Sequence, residues 1–489
     1  MGSGASDQAA LPHVVVVGGG IAGLAAALAV REQSGGQVRV TVLEGSPSVG
    51  GKLALTEVAG ILVDAGAESM LARRPEGLAL AAAAGLEDDV VHPAVVGASL
   101  WSHGALRPLP SGTLMGLPGD LRSLAASRTL SRRALARVPL DRVLRRTPVT
   151  DDVSIGAYVT ARLGREVVDR LVEPLLGGVY AGHADEISLD AALPQLAGPV
   201  RTERSLLRSV EAVLAAGVGA AGVGAEGVAR PVFASVRGGL GRLPDAVAAA
   251  SGADIRTGTT VREITRVPEG WRVVVGSAAA PETVQADALV LALPTGPAAR
   301  LLRELAPYAA DDLAGVEYAS VGLVTFALRA SDVVDRLQGT GFLVPPVEKR
   351  VIKAATFSSA KWGWLGEMSG DLAIVRTSVG RHREVADLQR DDPDLAAAAL
   401  ADLADALGVG ELHPVDAIVT RWGGALPQYA VGHLDRVARV RRALADLPAL
   451  AVCGAGYDGV GIPACVASGR AAAARVVDLM AERREWVHG

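Results

Sequence analysis

The sequence predicts a chain of combined α/β and α+β class, in which a discontinuous βαβ nucleotide-binding domain is interrupted by a mixed-sheet domain and a helical domain. Three observations carry this. The stretch VVVVGGGIAG, Val14 to Gly23, runs from a β-branched strand through glycines into the apolar run LAAALAV, the opening of a βαβ unit. A second buried strand and glycine turn, ALAVCGAG, appears only near the C-terminus and leads into a long closing helix, PACVASGRAAAARVVDLMAERR. With 489 residues, the chain is long enough for two or three lobes between these ends.

The elements follow in order. VRVTVLE, Val38 to Glu44, closes the first unit as a strand ending in an acid, and GSPSVGGKL after it reads as loop. From Trp101 to about Gly224 the pattern turns helical and arginine-rich, with no strong strand signal. Ala212 to Ala229, AVLAAGVGAAGVGAEGVA, reads as a helix end running into a flexible Gly/Ala loop. Strands return in DIRTGTTVREI and WRVVVG, separated by a Pro-Glu-Gly turn, and in ALVLALP, Ala288 to Pro294. A mixed region from Leu301 to Leu444 holds strands such as VGLVTFAL and a helix around Leu395 to Leu407. The expected division is 13–75, 230–300 and 445–485 for the nucleotide domain, 76–100 and 301–444 for the mixed-sheet domain, and 101–229 for the helical domain.

Composition excludes several classes. The 48 Lys and Arg stand against 53 Asp and Glu, so the chain is not built as a whole to coat nucleic acid. Two cysteines, Cys453 and Cys465, give neither a disulfide framework nor metal spacing, and a reducing compartment fits. No apolar run reaches the ~18 residues of a membrane span, and MGSGASDQAALP reads as a short disordered leader rather than a secretion signal. The run Arg122 to Arg146 carries eight arginines and one acid, Asp141; with Leu121, Leu124, Leu130 and Leu135 beneath, it is expected to form a basic amphipathic helix facing a membrane surface or an acidic partner, or a solvated helical face.

In Gly18-x-Gly20-x-x-Gly23 the first glycine permits the tight turn, the second lets backbone approach a pyrophosphate, and the third lets helix and strand pack closely. This is the Rossmann-like pattern. Glu44, twenty-one residues after Gly23 at a strand end, is placed to accept ribose hydroxyls. Gly50-Gly51-Lys52 and the second glycine turn point to an extended two-site cofactor, FAD rather than NAD. Pro463 suits the first turn of the closing helix, whose positive end would face the reactive ring.

The segments VVVVGGGIAGLAAA, LEGSPSVGGKL, GAESMLARRP, VFASVRGGLGRL, RWGGALPQYAVGH and GAGYDGVGIPACVASG resemble, in this order, the flavin-dependent porphyrinogen oxidases of the amine oxidase superfamily. RPLPSGTLMGLP and TFSSAKW look most like the bacterial coproporphyrinogen III oxidases. The resemblance implies FAD with its pyrophosphate on Gly18, Gly19, Gly20, Ile21, Ala22 and Gly23, and its adenosine ribose on Glu44, with Gly45 also at the cofactor. It puts Gly51, Lys52, Gly66, Ala67, Glu68 and Ser69 beside the cofactor, Val261 against the adenine, and Trp422, Val460, Gly461 and Ile462 near the isoalloxazine. One departure is Ala98, where some eukaryotic relatives carry an arginine.

No paired carboxylates, activated nucleophile or metal cluster stands out, and no residue is assigned as a general base. The eight histidines are dispersed and read as surface or structural, and Cys453 in AVCGAG reads as a buried apolar residue rather than a flavin tether. This fits a protein whose cofactor carries the chemistry. The resemblance implies oxidation of a porphyrinogen in three two-electron rounds, with molecular oxygen as acceptor and hydrogen peroxide released, in the haem pathway of the cytoplasm or at the inner face of the cell membrane. A ferrochelatase is the partner that would receive the product. Arg73, Arg74 and Lys361 are the candidates for binding substrate propionates. Protoporphyrinogen IX oxidase is the nearest alternative; an amine oxidase or carotenoid desaturase, or a cofactor-free GTPase-binding protein of the same fold, is more distant.

Overall fold

The computed structural model describes residues 11–217 and 231–488. The expected leader, over 1–10, and most of the expected Gly/Ala loop, over 218–230, lie outside the described residues. Five parallel strands lie in the order Asp254–Arg256, Arg39–Leu43, His13–Val17, Ala288–Leu291 and Leu450–Val452. One sheet therefore draws on distant parts of the chain, the discontinuity the sequence predicts. The VVVV run is apolar throughout because both faces are covered. Val14 and Val16 bury against Ala26, Val30, Ala473 and Val476 of the first and last helices. Val15 and Val17 bury on the other side with Leu289, Leu291 and Trp271.

The opening helix, Ile21–Gln33, is buried from Ile21 to Val30 and lies along the closing helix, Ile462–His488. Gly469 permits that approach: a Cβ there would stand 2.1 Å from the Ala22 carbonyl oxygen. The two helix N-termini thus open at the same end of the parallel sheet, where the chain turns at Gly18–Gly20 and Cys453–Gly454.

A seven-stranded sheet forms the second layer, ordered Asp416–Pro427, Tyr318–Arg329, Leu372–Val379, Ile352–Phe357, Gly341–Leu343, Ser99–Ser102 and Ala105–Pro108. All its pairs are antiparallel except Gly341–Leu343 with Ser99–Ser102. One face buries Val324, Phe326, Phe342 and Val375 against Leu395, Ala399 and Leu403 of the helix Asp392–Leu407. The expected DIRTGTTVREI strand divides in two: Asp254–Arg256 joins the parallel sheet, and Val261–Val267 begins a three-stranded meander with Gly270–Ser277 and Ala280–Ala286.

Two expectations are corrected. The region after Trp101 is not free of strands: Ser99–Ser102 and Ala105–Pro108 extend the seven-stranded sheet, and Thr113–Leu114 pairs with Leu117–Pro118. These strands are too short for sequence periodicity to register. Nor does the arginine-rich run form one amphipathic helix. Arg128 takes a left-handed conformation, φ 55°, and splits it into Leu121–Ser127 and Arg132–Arg137. Leu124 is buried, and Leu121, Leu130 and Leu135 pack inward on the helical core of Ile155, Leu171, Leu176 and Leu206. Asp141 is buried too: its Oδ1 accepts from Arg162 Nε at 2.5 Å, and its Oδ2 from Ser205 Oγ and the Leu207 amide. The leucines and the acid belong to the interior, while seven of the eight arginines face solvent.

Candidate functional site

The three glycines of the first turn hold different places. A Cβ at Gly18, whose φ is +108°, would stand 2.4 Å from the Ala292 carbonyl oxygen, and one at Gly23 would stand 1.9 Å from the Gly18 carbonyl oxygen. These two glycines are required by the protein's own packing. Gly20 is different: it is the N-cap of the opening helix in an extended conformation, φ −70° and ψ 171°, and a Cβ there meets no protein atom within 4 Å. The helix start has no side-chain cap, so its first N–H groups are left to another acceptor.

Glu44 closes one end of this cradle. Its carboxylate accepts from the Gly19 and Ser46 amides, each at 2.7 Å, which fixes the strand end to the glycine turn. The Gly50 amide donates to the Gly19 carbonyl at 2.8 Å, laying Gly50-Gly51 beside the first turn. Thr259 donates from its amide to the Glu44 carbonyl, and Gly45 faces the Thr260 hydroxyl, so Val261 follows directly on the acidic end of the cradle.

A second group of expected residues meets on the far side. The Ala67 amide donates to the Lys52 carbonyl, and a Cβ at Gly66 would stand 1.9 Å from that oxygen and 3.4 Å from the Trp422 ring. Trp422 Nε1 donates to the Ala65 carbonyl at 2.8 Å. Glu68 lies just beyond, its side chain 11% exposed, and accepts from Lys361 Nζ at 2.7 Å, Ser358 Oγ at 2.9 Å and Arg376 Nη1 at 3.0 Å. Burial alone would raise its pKa; the ammonium of Lys361 and the guanidinium of Arg376 outweigh burial and hold it at about 2. Arg376 Nη2 also donates to the Gly66 carbonyl at 2.6 Å, and Ser69 Oγ lies 3.4 Å from Lys361 Nζ.

The third group is the C-terminal turn. Gly461 presents open space where a Cβ would stand, Ile462 begins the closing helix, and Val460 packs against the helical core. The Gly454 amide donates to Ser468 Oγ at 2.9 Å, and that hydroxyl donates to Asp458 Oδ2 at 2.5 Å, tying the glycine turn to the helix. Cys453 is fully buried and its thiol is pushed up by burial, as for an apolar core residue. A dinucleotide fits what the residues leave: open space at Gly20 and Gly461, an uncapped helix start, and the Glu44 carboxylate beside the first glycine turn.

The propionate candidates fare differently. Lys361 is 7% exposed and its ammonium is committed to Glu68, so it is no free partner for a substrate carboxylate. Arg74 pairs with Glu76 at 2.6 Å and lines a groove along the closing helix with Arg441 and Arg475, rather than joining the Glu68 cluster; Arg73 is exposed. Arg376 and Ser358 were not singled out by sequence, though an arginine inside the apolar strand LAIVRTSV was a readable signal. Asp64 was also missed. It accepts from the Leu240 and Gly241 amides at 3.1 and 2.8 Å, pinning the VRGGLGRL turn, and burial raises its pKa to about 6. Among the histidines, His13 bridges Thr41 and the Gln285 carbonyl, and His433 stacks on Tyr429 with ring centroids 4.2 Å apart.

The family model described as flavin-containing amine oxidoreductase matches residues 21–477. A coproporphyrinogen III oxidase of Mycobacterium tuberculosis H37Rv is 36% identical over 461 residues, covering 93% of this chain and 95% of that protein. One of Bacillus subtilis is 30% identical over 466 residues, covering 94% and 97%. A crystal structure from Exiguobacterium sp. 255-15, provisionally named a protoporphyrinogen oxidase, superposes with a TM-score of 0.81 at 30% identity, covering 97% of this chain and 99% of that one. Matched from the opening helix to the closing one, this chain belongs to the flavin-containing amine oxidoreductase family.

Proposed function

We propose that this chain is an FAD-dependent coproporphyrinogen III oxidase of haem biosynthesis, with molecular oxygen as acceptor and hydrogen peroxide as by-product. The observation that carries this reading is the end-to-end likeness to relatives of that name, in a chain whose own residues form a dinucleotide cradle. FAD bound in the cradle supplies the two-electron acceptor. The protein supplies the rest: N–H groups of Ile21 and Ala22 for the pyrophosphate, Glu44 for the ribose, and Trp422 with Val460–Ile462 around the ring. In the same reading, Glu68 neutralises Lys361 and Arg376, and 13–75, 230–300 and 445–485 make up the flavin-binding domain. The exposed arginines of 122–146 offer a salt-sensitive contact to the inner face of the membrane, and a ferrochelatase receives the product. Among the described residues, no helix is long and apolar enough to cross a membrane.

Protoporphyrinogen IX is the alternative substrate, favoured by the name of the Exiguobacterium structure. The test supplies each porphyrinogen to the flavin-loaded protein in air and follows porphyrin fluorescence and peroxide. Faster turnover of coproporphyrinogen III, with peroxide formed in step, is the expected result. A clear preference for protoporphyrinogen IX, or turnover without peroxide, refutes the assignment of substrate or acceptor respectively.

A further inference from the structure

Beneath the helix Glu173–Val179, two buried cations lie side by side with almost no anion to answer them. Lys353 is 5% exposed, and its Nζ donates to the Gly380 carbonyl at 2.8 Å. Arg381 is 6% exposed, and its Nη2 donates to the Val344 carbonyl at 2.9 Å. Among the described residues, the one carboxylate within 4 Å of either is Glu384, 3.9 Å from Arg381 with its own side chain half in solvent. Glu173 faces Arg381 from the helix above, but it accepts from the Ala184 amide, its other oxygen has no partner, and burial raises its pKa. Burial, with Arg381 adding to it, pulls the Lys353 ammonium down to about 7. Buried cations are ordinarily paired, because an unpaired one keeps most of its desolvation cost.

The helix above leaves room. Gly177 and Gly178 sit inside it without the positive φ that would call for glycine. A Cβ at Gly177 would find its nearest atom, Arg381 Nε, at 3.9 Å; one at Gly178 would find Leu343 Cδ2 at 3.7 Å. Close packing does not require glycine there either, and glycine is the weakest helix former short of proline. The position at buried Gly177 faces Arg381, and that at Gly178, which is exposed to solvent, faces Leu343.

Strand alternation ties this place to the cofactor cradle. Phe342, Val344, Val375 and Val379 bury toward the helix Asp392–Leu407, so Leu343 and Arg376 lie on the opposite face of the seven-stranded sheet. On that face Arg376 reaches Glu68 and Gly66, and Leu343 packs against the same helical core as Val460.

We propose that Lys353 and Arg381 form a carboxylate-binding site that receives one propionate of the porphyrinogen, in the space left by Gly177 and Gly178. This rests on the function proposed above and deepens it. A desolvated pair of cations gains its counter-ion from a propionate and loses it when an uncharged group takes the same place, so the site favours the porphyrinogen with four propionates over the one with two.

The experiment uses the flavin-loaded full chain. Binding of coproporphyrin III and of its uncharged tetramethyl ester is titrated by fluorescence, and kcat and KM are measured for coproporphyrinogen III. Lys353→Met is expected to weaken coproporphyrin III binding and raise KM tenfold or more, with a smaller change in kcat and with ester binding and the flavin spectrum unaltered; Lys353→Arg restores binding. Gly177→Leu fills the space beside Arg381 while removing neither charge and is expected to weaken coproporphyrin III binding likewise. Wild-type binding and KM in both Lys353→Met and Gly177→Leu overturn the site; if one variant fails to fold, the other decides. A wild-type protein that neither binds coproporphyrin III nor oxidises its porphyrinogen overturns the functional reading, and the site with it.

Discussion

Replacing Gly20 by valine separates the cofactor from the fold. The Gly20 backbone, at φ −70° and ψ 171°, is one valine adopts readily, and a Cβ there meets no protein atom within 4 Å. Valine is a poorer N-cap than glycine by less than ~1 kcal/mol, and its reduced freedom in the unfolded chain returns about 0.4–1 kcal/mol. The apoprotein should therefore melt close to the wild-type apoprotein. The side chain instead occupies the place proposed for the pyrophosphate, at an uncapped helix start. Losing two charge-assisted N–H bonds at ~1.5–3 kcal/mol each weakens FAD by roughly two to four decades. Gly23→Ala is the contrast, because its Cβ would lie 1.9 Å from the Gly18 carbonyl oxygen and must push strand and helix apart. That variant should lose about 1–3 kcal/mol of apoprotein stability as well as flavin. The assay is the flavin absorbance per mole of purified protein, with thermal melts followed by circular dichroism on the apo forms. A Gly20→Val protein that folds and retains stoichiometric FAD refutes the reasoning.

Glu44→Ala should weaken FAD by about 1–3 kcal/mol in a titration, since it removes the proposed ribose acceptor and frees the Gly19 and Ser46 amides; unchanged affinity argues against the ribose role. Glu68 is held at about 2 in the fold against about 4.5 unfolded, so its stabilising share is complete above pH 4.5 and is lost as pH falls toward 2, roughly 3 kcal/mol in all. Urea melts of wild type and Glu68→Gln should converge across that window, and a gap that stays constant would contradict the cluster. Asp64 works in the other direction. Held up at about 6, it makes stability fall as pH rises from about 4 to 6, and Asp64→Asn should flatten that slope in the same melts.

The parts of this protein legible in its sequence are those in which short-range geometry decides the role. The strand, turn and helix of Val14 to Gly23 announce themselves because a buried parallel strand needs a continuous apolar run and the turn needs glycine at set intervals. Glu44 is equally readable, because the length of one βαβ unit sets its distance from Gly23. Pro463 and Gly461 mark the start of the closing helix by the same local rules.

Long-range pairing settled the rest. Nothing near Lys361 in the chain tells that its ammonium belongs to Glu68, 293 residues away, rather than to a ligand. Arg376 reaches Glu68 and Gly66 only because strand register points it to one face of the seven-stranded sheet. The leucines of the arginine-rich run read as the apolar face beneath one basic helix, against a membrane, an acidic partner or the interior; the fold breaks that helix at Arg128 and packs them on the helical core. Whether a charge is a surface group, a structural counter-ion or a ligand site depends on its burial and on which carboxylate the fold brings within hydrogen-bonding reach. For Lys353 and Arg381 the fold brings almost none, a fact invisible in KRVIKAATF and SVGRHRE and decided only when helix and sheet close over them.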